Sequence, residues 1–361
     1  MGRYIAMRIA IFSRWNATCG ISLHAELLGR EFINLGHEIL VFAPYVNSAN
    51  RWWHHKIIKD DEDYVIRCYY ENDPIEGTSG RVDEDKILQH KFDVLLVESD
   101  RCIPYRSVEK LVSKLRGKCP VILVIHEGLK EHIQYSDLSI FDAIVVFDNR
   151  YINEVIGNGK HGNIHIIPYP CHPPVSRKRR AFGEDLIKFF SFGRQPINEY
   201  DDYINTLSWL DKLLHLRFRY LVIRSDQPLP YKASWLIQNT GRLPTSEIYK
   251  ILQDVDIHFI PKANTRKVVV SSTFYQTVGS LTPIIAPYTR HFEAIPKING
   301  MKPIILYRNI EELKSVVIKI IEDNKFRRKI IDTMRKFALK NSSRIIAQKF
   351  LILFESLFES I

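Results

Sequence analysis

The sequence predicts an α/β protein with two doubly wound parallel-sheet domains, and three observations support this fold class. The chain has 361 residues, which at roughly 150 residues per domain favours two domains. Short apolar segments alternate with amphipathic ones along nearly the whole chain, as strand–helix–strand units do. A proline-rich and basic stretch at 168–180 interrupts the alternation and is typical of an interdomain linker.

The first series opens with a strand predicted at Arg8–Phe12, a loop through Cys19 and Gly20, and a helix over Leu23–Leu35 that Ser22 can cap. Later strands are predicted at Ile39–Phe42, Val94–Val97, Val121–Ile125, Ala143–Phe147 and Ile164–Ile167. Helix-like segments separate these strands, so we expect them to pair in parallel.

The second series follows the linker and repeats the same alternation. Its strands are predicted at Ile187–Phe192, Tyr220–Ile223, Ile257–Ile260, Pro283–Ala286 and Ile304–Leu306. Its helices are predicted at Asp201–Leu214, Ser246–Leu252, Ser271–Gly279 and Ile310–Ile321. The predicted domains are therefore 1–172 and 173–340.

Helical periodicity continues from Lys325 to the end of the chain, and 341–361 is predicted to form a C-terminal helix that packs on a domain, with the N-terminal domain as the candidate. The alternative is a helix lying on a membrane surface. Packing is favoured because only acidic charges, Glu355 and Glu359, follow Lys349.

Composition narrows the class of protein. No apolar run approaches the ~20 residues of a membrane-spanning helix, and the N-terminus does not resemble a secretory signal, so the expected location is the cytoplasm. The five cysteines are odd in number and widely spaced, which predicts neither disulfides nor a zinc site. A net charge of +10 favours anionic partners such as nucleotide phosphates, an acidic membrane surface or nucleic acid, and charge alone does not choose among them.

Ligands of open parallel sheets bind beyond the carboxyl ends of the strands. In the first loop, Gly20 allows close backbone approach, although one glycine also suits a tight turn without a ligand. His126 and Glu127 directly follow a predicted strand, where a general base would lie; the alternative is a structural histidine. The acidic runs Asp60–Asp63 and Asp83–Asp85 are interpreted as solvated surface, and no metal site is predicted.

The second series carries cations at two strand ends. Arg194 follows its first strand, with a surface ion pair to Glu199 as the alternative role. Lys262, Arg266 and Lys267 follow the strand Ile257–Ile260, and the helix beginning at Ser271–Thr273 comes next. Cations near a helix start predict a phosphate site here, although a solvated basic loop has the same pattern. Arg224 ends another strand and is either a ligand-facing cation or a solvated loop charge.

Five segments occur in an order that resembles the GT-B glycosyltransferases, in particular their family 4. They are Cys19-Gly20-Ile21 with His24 and the following Leu35–Pro44, then Val124–Glu127, Phe192–Arg194, Asp254–Pro261 and Thr282–Ala286. The resemblance covers nearly the whole chain. It implies two Rossmann-like domains facing a central cleft, with Gly20 and Ile21 in the family's glycine loop.

The resemblance also implies an activity: transfer of a sugar from a nucleotide-sugar donor to a glycan, lipid-linked or small-molecule acceptor, with retention and without a metal or other cofactor. His126 would lie beside the sugar, and Arg194 would contact the donor diphosphate. The dispersed basic residues argue against nucleic-acid binding. The cluster Arg177–Arg180 suits peripheral contact with an anionic membrane, at its inner face.

The donor site departs from the family pattern. Val268 and Gln276 stand where the family has two glutamates, and 257–292 contains no Asp or Glu. The family's lysine shortly after Gly-Arg is also missing, since Asn198-Glu199 occupies that region. Gln276 can still bond a ribose hydroxyl, and Lys262, Arg266 or Lys267 can replace the lost cation beside Ser272 and Thr273. Two alternatives stay open: a non-catalytic GT-B protein that binds a nucleotide sugar or glycan, and a sugar-nucleotide epimerase.

Overall fold

A computed structural model describes residues 6–52, 55–73, 75, 78–157, 163–175, 181–213 and 217–359. The chain divides into two compact units. The first unit comprises Met1–Pro170, Lys267–Ser272 and Ser343–Ile361, and the second unit comprises Cys171–Arg266 and Thr273–Ser342. Lys267–Ser272 therefore belongs to the first unit, although the segments before and after it belong to the second.

The first unit is built on an eight-stranded sheet. Its strands are β1 (Arg8–Phe12), β2 (Glu38–Pro44), β3 (Val65–Tyr70), β4 (Arg81–Val82), β5 (Val94–Ser99), β6 (Val121–Ile125), β7 (Ala143–Val146) and β8 (Ile164–Ile166). They lie in the order β4-β3-β2-β1-β5-β6-β7-β8, and all pairs are parallel except β3 with β4. The order reverses at β1, so a crevice is expected beyond the carboxyl ends of β1 and β5.

The central strands are apolar because both faces of the sheet are covered. Every residue of β5 and β6 is buried, which is the pattern of a parallel sheet with helices on each side. The helices between the strands are α1 (Gly20–Asn34), α2 (Val46–Ala49), α3 (Glu84–Leu88) and α4 (Tyr105–Leu115).

Helix α1 begins earlier than its periodicity predicts. The Sγ of Cys19 accepts the bond from the Ser22 backbone N–H, so Cys19 caps the helix. The expected cap, Ser22, lies inside the first turn, where its hydroxyl accepts from the Ala17 N–H and donates to Glu26. The capping prediction was therefore wrong by one helical turn.

The second unit is built on a six-stranded parallel sheet. Its strands are β9 (Ile187–Gly193), β10 (Phe218–Arg224), β11 (Leu236–Thr240), β12 (Ile257–Phe259), β13 (Ile284–Pro287) and β14 (Ile305–Tyr307). They lie in the order β11-β10-β9-β12-β13-β14, so this sheet reverses at β9, beside β12. The accompanying helices are α5 (Asp201–Leu213), α6 (Thr245–Asp254), α7 (Ser272–Thr277), α8 (Ile310–Glu322) and α9 (Asn324–Lys340).

The C-terminal helical pattern is divided between the two units. Helix α9 belongs to the second unit, and helix α10 (Ser343–Phe358) belongs to the first. Helix α10 packs on α1: the rings of Phe354 and Phe32 are 5.8 Å apart, and the hydroxyl of Ser343 donates to Glu31. This apolar contact explains the stripe of aromatic and aliphatic residues near the C-terminus.

Two features of the chain bear on membrane contact. In the part of the chain that the structure describes, no helix is both long and apolar enough to cross a bilayer. The basic cluster Arg177–Arg180 lies outside the described residues, so its contact with anionic lipid stays a prediction.

We predict that Phe354→Ala destabilises the first unit by about 3–5 kcal/mol, because Phe354 is fully buried and its removal leaves a cavity against α1. The measurement is urea unfolding followed by far-UV circular dichroism. Ile352, on the same helix but 58% exposed, is the matched control, and Ile352→Ala should change stability by about 0.5 kcal/mol or less. Equal effects of the two changes would contradict the packing described for α10.

Candidate functional site

The loop after β1 holds a buried arginine that the sequence did not single out. Arg14 donates from Nε to Glu71 at 2.5 Å and from Nη1 to Asp100 at 2.8 Å. Glu71 follows β3 and Asp100 follows β5, so this ion triad joins the carboxyl ends of three strands. Burial opposes the charge, but the two carboxylates outweigh it and raise the pKa of Arg14. The triad therefore fixes the edge where the strand order reverses.

Next to this triad, a carboxylate lies between two imidazoles. The Glu98 Oε1 atom is 2.8 Å from His24 Nδ1, and Glu98 Oε2 is 2.5 Å from His126 Nε2. Glu98 ends β5, His126 directly follows β6, and His24 comes from α1. The side chains of Glu98 and His24 are fully buried, whereas that of His126 is 9% exposed.

The pKa shifts indicate a charged Glu98 carboxylate beside a neutral His24 ring. Burial alone would raise the pKa of Glu98, but His24 and His126 outweigh it and lower that pKa to about 2. Burial lowers the pKa of His24, against the attraction of Glu98. At neutral pH, Glu98 is therefore ionised and His24 is neutral.

Among the described residues, His24, Glu98 and His126 are the group whose ligand atoms could hold a metal ion, since these atoms lie within 4.8 Å of one another. Metal–ligand bonds of about 2.1 Å would place tetrahedral ligands roughly 3.4 Å apart. The observed separations of 2.8 and 2.5 Å are instead those of charge-assisted hydrogen bonds. The arrangement fits a hydrogen-bonded triad better than a metal centre, and metal independence stays a prediction.

Glu127 lies at the same edge of the sheet as Glu98, but its pKa is shifted in the opposite direction. Its Oε1 accepts from the hydroxyls of Ser99 at 2.5 Å and Tyr105 at 3.0 Å, while its Oε2 is buried with no partner in the described part of the chain. Burial raises the pKa of Glu127 to about 7, against the hydrogen bond from Ser99. A proton on Glu127 therefore exchanges near neutral pH.

Val268, which the resemblance aligns with a donor glutamate, is buried. The Val268 N–H donates to the Gly128 carbonyl at 2.9 Å, and a Cβ on Gly128 would lie 2.2 Å from the Val268 oxygen. Gly128 is therefore required for this close backbone approach. Gly20 is similar, because a Cβ there would lie 3.0 Å from the Ser272 Cβ.

In the second unit, two predicted cations follow the strands on either side of the strand-order reversal. Arg194 follows β9 and Lys262 follows β12, and both are half-buried. Burial lowers the pKa of Lys262; Arg194 lowers it further, and Glu199 opposes the shift. The attraction of Glu199 on Lys262 exceeds the repulsion of Arg194, so a carboxylate as well as two cations lies at this edge.

The other predicted donor residues occupy several environments. Gln276 donates from Nε2 to the Thr245 hydroxyl at 3.0 Å, and its carbonyl accepts from Tyr249. Arg266 is exposed on the loop after Lys262, and its carbonyl accepts from Arg290. Ser272, Thr273 and Lys267 lie at or beside the start of α7, with Lys267 and Ser272 in the first unit and Thr273 in the second. The role of Arg266 and Lys267 as donor-site cations therefore stays a prediction.

Arg224 has neither of the two roles that the sequence offered. It is 2% exposed and donates to Gln195 O at 2.6 Å, to Gln227 O at 2.7 Å and to Asp226 at 2.8 Å. A buried guanidinium with these partners holds the loops after β9 and β10 together, so Arg224 is structural.

The acidic run Asp60–Asp63 is not solvated throughout. Glu62 accepts from Trp15 Nε1 at 3.0 Å, Asn16 Nδ2 at 3.0 Å and Arg30 at 2.7 Å. Burial opposes ionisation of Glu62, but these donors outweigh it and lower its pKa to about 2. Glu62 thus anchors the loop after β1, whereas the neighbouring aspartates are exposed.

Sequence reasoning found His126 but missed its partner. Glu98 is the one charged residue in an otherwise apolar or small strand, Val94–Ser99, and lies one position before the strand's end. An ionisable residue near the end of a fully buried strand requires a partner. This position in the strand could have identified Glu98 as a site residue. His24 entered only as part of a family motif, without a role.

Comparison with solved structures establishes the fold. The glycosyltransferase of Rickettsia africae ESF-5 has a TM-score of 0.68 at 12% identity, covering 99% of this chain and 100% of that chain. The sucrose-phosphate synthase of Thermosynechococcus elongatus has a TM-score of 0.65 at 12% identity, covering 98% and 100%. An alpha-glucosyltransferase solved with UDP and a 13-mer DNA has a TM-score of 0.67 at 13% identity, covering 97% and 100%.

No protein-family model matches the sequence. The structural likenesses confirm the predicted fold class, two parallel-sheet domains of the GT-B glycosyltransferase type. The narrower resemblance to family 4 stays a prediction.

We predict that Glu127→Gln stabilises the protein more at pH 8 than at pH 5. A carboxyl with a folded-state pKa of about 7, raised from 4.5, contributes stability that is present below pH 4.5 and is lost as pH rises through 7. Glutamine does not ionise, so the difference should reach on the order of 1–3 kcal/mol at pH 8.

The measurement is urea unfolding at both pH values. Glu109 also accepts from a serine hydroxyl, so Glu109→Gln is the control for replacing such an acceptor by an amide. A Glu127→Gln effect equal at pH 5 and pH 8 would show that Glu127 titrates normally.

Proposed function

We propose that this protein is a glycosyltransferase that takes its sugar from a nucleotide-sugar donor, with the donor diphosphate bound at the carboxyl edge of the β9–β12 pair. The observation that carries the proposal is the neighbouring pair Arg194 and Lys262. Burial lowers the pKa of Lys262, and an anion bound beside the two half-buried cations offsets that cost through charge-assisted hydrogen bonds.

The proposed transfer requires positive charge beside the leaving phosphate, which Arg194 and Lys262 can supply. Departure of a nucleoside diphosphate leaves negative charge on the phosphate oxygens, and fixed cations stabilise that charge. Arg194 can bind phosphate oxygens bidentately, while Lys262 supplies a compact charge. Glu199 attracts Lys262 more strongly than Arg194 repels it, so Glu199 stabilises the charge of Lys262 when no anion is bound.

The nucleoside is proposed to contact Gln276. Its amide can exchange the bond to Thr245 for one to a ribose hydroxyl, with the backbone held by Tyr249. Structures similar in fold were solved with UDP, which makes uridine nucleotides the first donors to test. Retention, independence of metal and a glycan, lipid-linked or small-molecule acceptor belong to the same proposal.

A second candidate function has a specific observation in its favour. Val268 stands at the position of the family's sugar-side glutamate, and it is buried and bonded to Gly128. No carboxylate is therefore present at this position. A non-catalytic GT-B protein that binds a nucleotide sugar or glycan would have this feature.

Turnover separates these functions. We expect the protein, incubated with a panel of nucleotide sugars and candidate acceptors, to release nucleoside diphosphate only when a matching acceptor is present. Binding of a donor without release would favour the non-catalytic function. Conversion of the donor without an acceptor would instead indicate an epimerase. No binding of any donor would contradict the glycosyltransferase and the epimerase, and would leave only binding of a glycan by a non-catalytic protein.

We predict that Arg194→Ala and Lys262→Ala each weaken binding of UDP by about 10- to 100-fold, because each removes a charge-assisted hydrogen bond to phosphate. Binding of uridine should change little. The measurement is calorimetric affinity for both ligands.

Lys188→Ala is the matched control, since Lys188 lies at the amino end of β9, opposite the end that Arg194 follows, and pairs with Asp254. The control should bind UDP as the wild type does. Equal loss for UDP and uridine would show that Arg194 and Lys262 support the fold rather than phosphate.

A further inference from the structure

Helix α9 carries a large share of the positive charge of the chain. Its 17 residues include seven Lys or Arg and one acid, Asp332, so its net charge is +6 in a chain of net charge +10. One of the seven, Arg327, lies 4.0 Å from the centre of the Phe182 ring and donates to the Ile320 carbonyl, so it supports the fold. The other six are exposed: Lys325, Arg328, Lys329, Arg335, Lys336 and Lys340.

The six exposed cations share one side of α9. At about 100° per residue, they lie within about 140° of the helix circumference and extend over about 22 Å of its length. Ile330, Met334 and Phe337 are buried on the opposite side, and the ring of Phe337 packs 5.5 Å from that of Phe274. The exposed side, including Leu339, is called the basic face of α9.

The basic face is unfavourable for the helix that carries it. Lys325 is followed three and four positions later by Arg328 and Lys329, and like charges at these spacings destabilise a helix. The first turn contains no acidic residue, so its cations also oppose the helix dipole. Of the basic face, only Lys336 forms an ion pair with a described residue, Asp332 at 2.7 Å.

Helix α8 of the same unit has the charge pattern of a helix that faces only solvent. Lys314 pairs with Glu311 at 2.7 Å, and Arg308, just before the helix, pairs with Glu312 at 3.5 Å. Such pairs keep a helix exposed to water without accumulating charge of one sign. The uncompensated cations of α9 therefore indicate contact with an anionic partner.

Leu339 indicates which kind of anionic partner fits. Its side chain is 57% exposed on the basic face, and the exposed residues of α9 include no aromatic ring on which a base could stack. A nucleic acid offers phosphates but no apolar layer for Leu339. A membrane offers anionic headgroups to the cations and acyl chains to the leucine.

We propose that the basic face of α9 binds the surface of an anionic membrane, with its cations at the lipid headgroups and Leu339 at the outer part of the acyl chains. The contact is peripheral, because α9 keeps its buried side packed within the second unit. This inference does not rest on the proposed function, since it follows from α9 and not from the strand ends.

Flotation with lipid vesicles tests the charge of the basic face. The full chain is mixed, in about 0.1 M NaCl, with vesicles of phosphatidylcholine alone or with about 30% phosphatidylglycerol. We expect binding to the anionic vesicles only. The triple variant Lys325→Gln, Arg328→Gln, Lys329→Gln should bind them about 100-fold more weakly, since each cation contributes about fivefold. Equal binding to the two kinds of vesicle would overturn the proposal.

The matched control removes three charges that lie in ion pairs of the same unit. Lys188, Lys250 and Lys314 pair with acidic residues at 2.9, 2.6 and 2.7 Å. Replacing all three by Gln lowers the net charge as the α9 variant does, but should weaken vesicle binding by about threefold or less. Equal losses in the two triple variants would show a response to net charge alone and would overturn the proposal.

Stability separates a binding role of the cations from a structural one. The α9 triple variant removes like-charge repulsion, so its midpoint of urea unfolding should equal or exceed that of the wild type. If it unfolds instead, the double variant Arg335→Gln, Lys340→Gln, at the other end of the face, provides the test. A loss of about 25-fold in vesicle binding supports the proposal, and unchanged binding overturns it.

Leu339→Ala distinguishes a membrane from other polyanions. It should weaken binding to the anionic vesicles by about 3- to 10-fold. The control is Leu213→Ala, because Leu213 is 58% exposed at the end of α5, and it should leave binding unchanged. Equal effects of the two changes would overturn the placement of Leu339. Binding to a DNA duplex of about 20 base pairs that is tighter than vesicle binding and insensitive to Leu339→Ala would assign the basic face to nucleic acid and overturn the proposal.

Discussion

Parallel strand pairing is the constraint on which the rest of this structure depends. Each sheet reverses its strand order beside its first strand, β1 or β9, so loops distant in sequence begin at neighbouring points of one edge. That is why Arg14 meets Asp100 across 86 positions of sequence, and why Lys262 is near Arg194. Neither cluster can be recognised as a local motif, since each exists only once the sheet is assembled.

The two edges have opposite electrostatic character. The edge of the first unit concentrates carboxylates and imidazoles, with Glu98 ionised and Glu127 titrating near neutrality. The edge of the second unit carries Arg194 and Lys262, and the segment 257–292 contains no acidic residue. The edge of the first unit carries groups that can bind hydroxyl groups and exchange protons. The edge of the second unit carries cations that can bind phosphate.

The sequence predicted what depends on local pattern and missed what depends on pairing. The buried strands β1 and β6 have the predicted limits because apolar runs define them. Strand β11, with the polar sequence Leu236–Thr240, was not predicted, since it is an edge strand that only pairing with β10 identifies. Arg224 was misjudged for a similar reason: its partners are carbonyls of loops that no spacing in the sequence connects.

The division of the chain into units has a consequence for biosynthesis. Ser343–Ile361 completes the first unit but is translated only after the whole of the second unit. Until then, α10 does not cover the face of α1 that contains Phe32. The nascent N-terminal unit therefore exposes apolar surface to solvent. A single proteolytic cut or gene truncation cannot separate two complete halves. Helix α10 therefore completes a unit whose helix α1 was made more than 300 residues earlier.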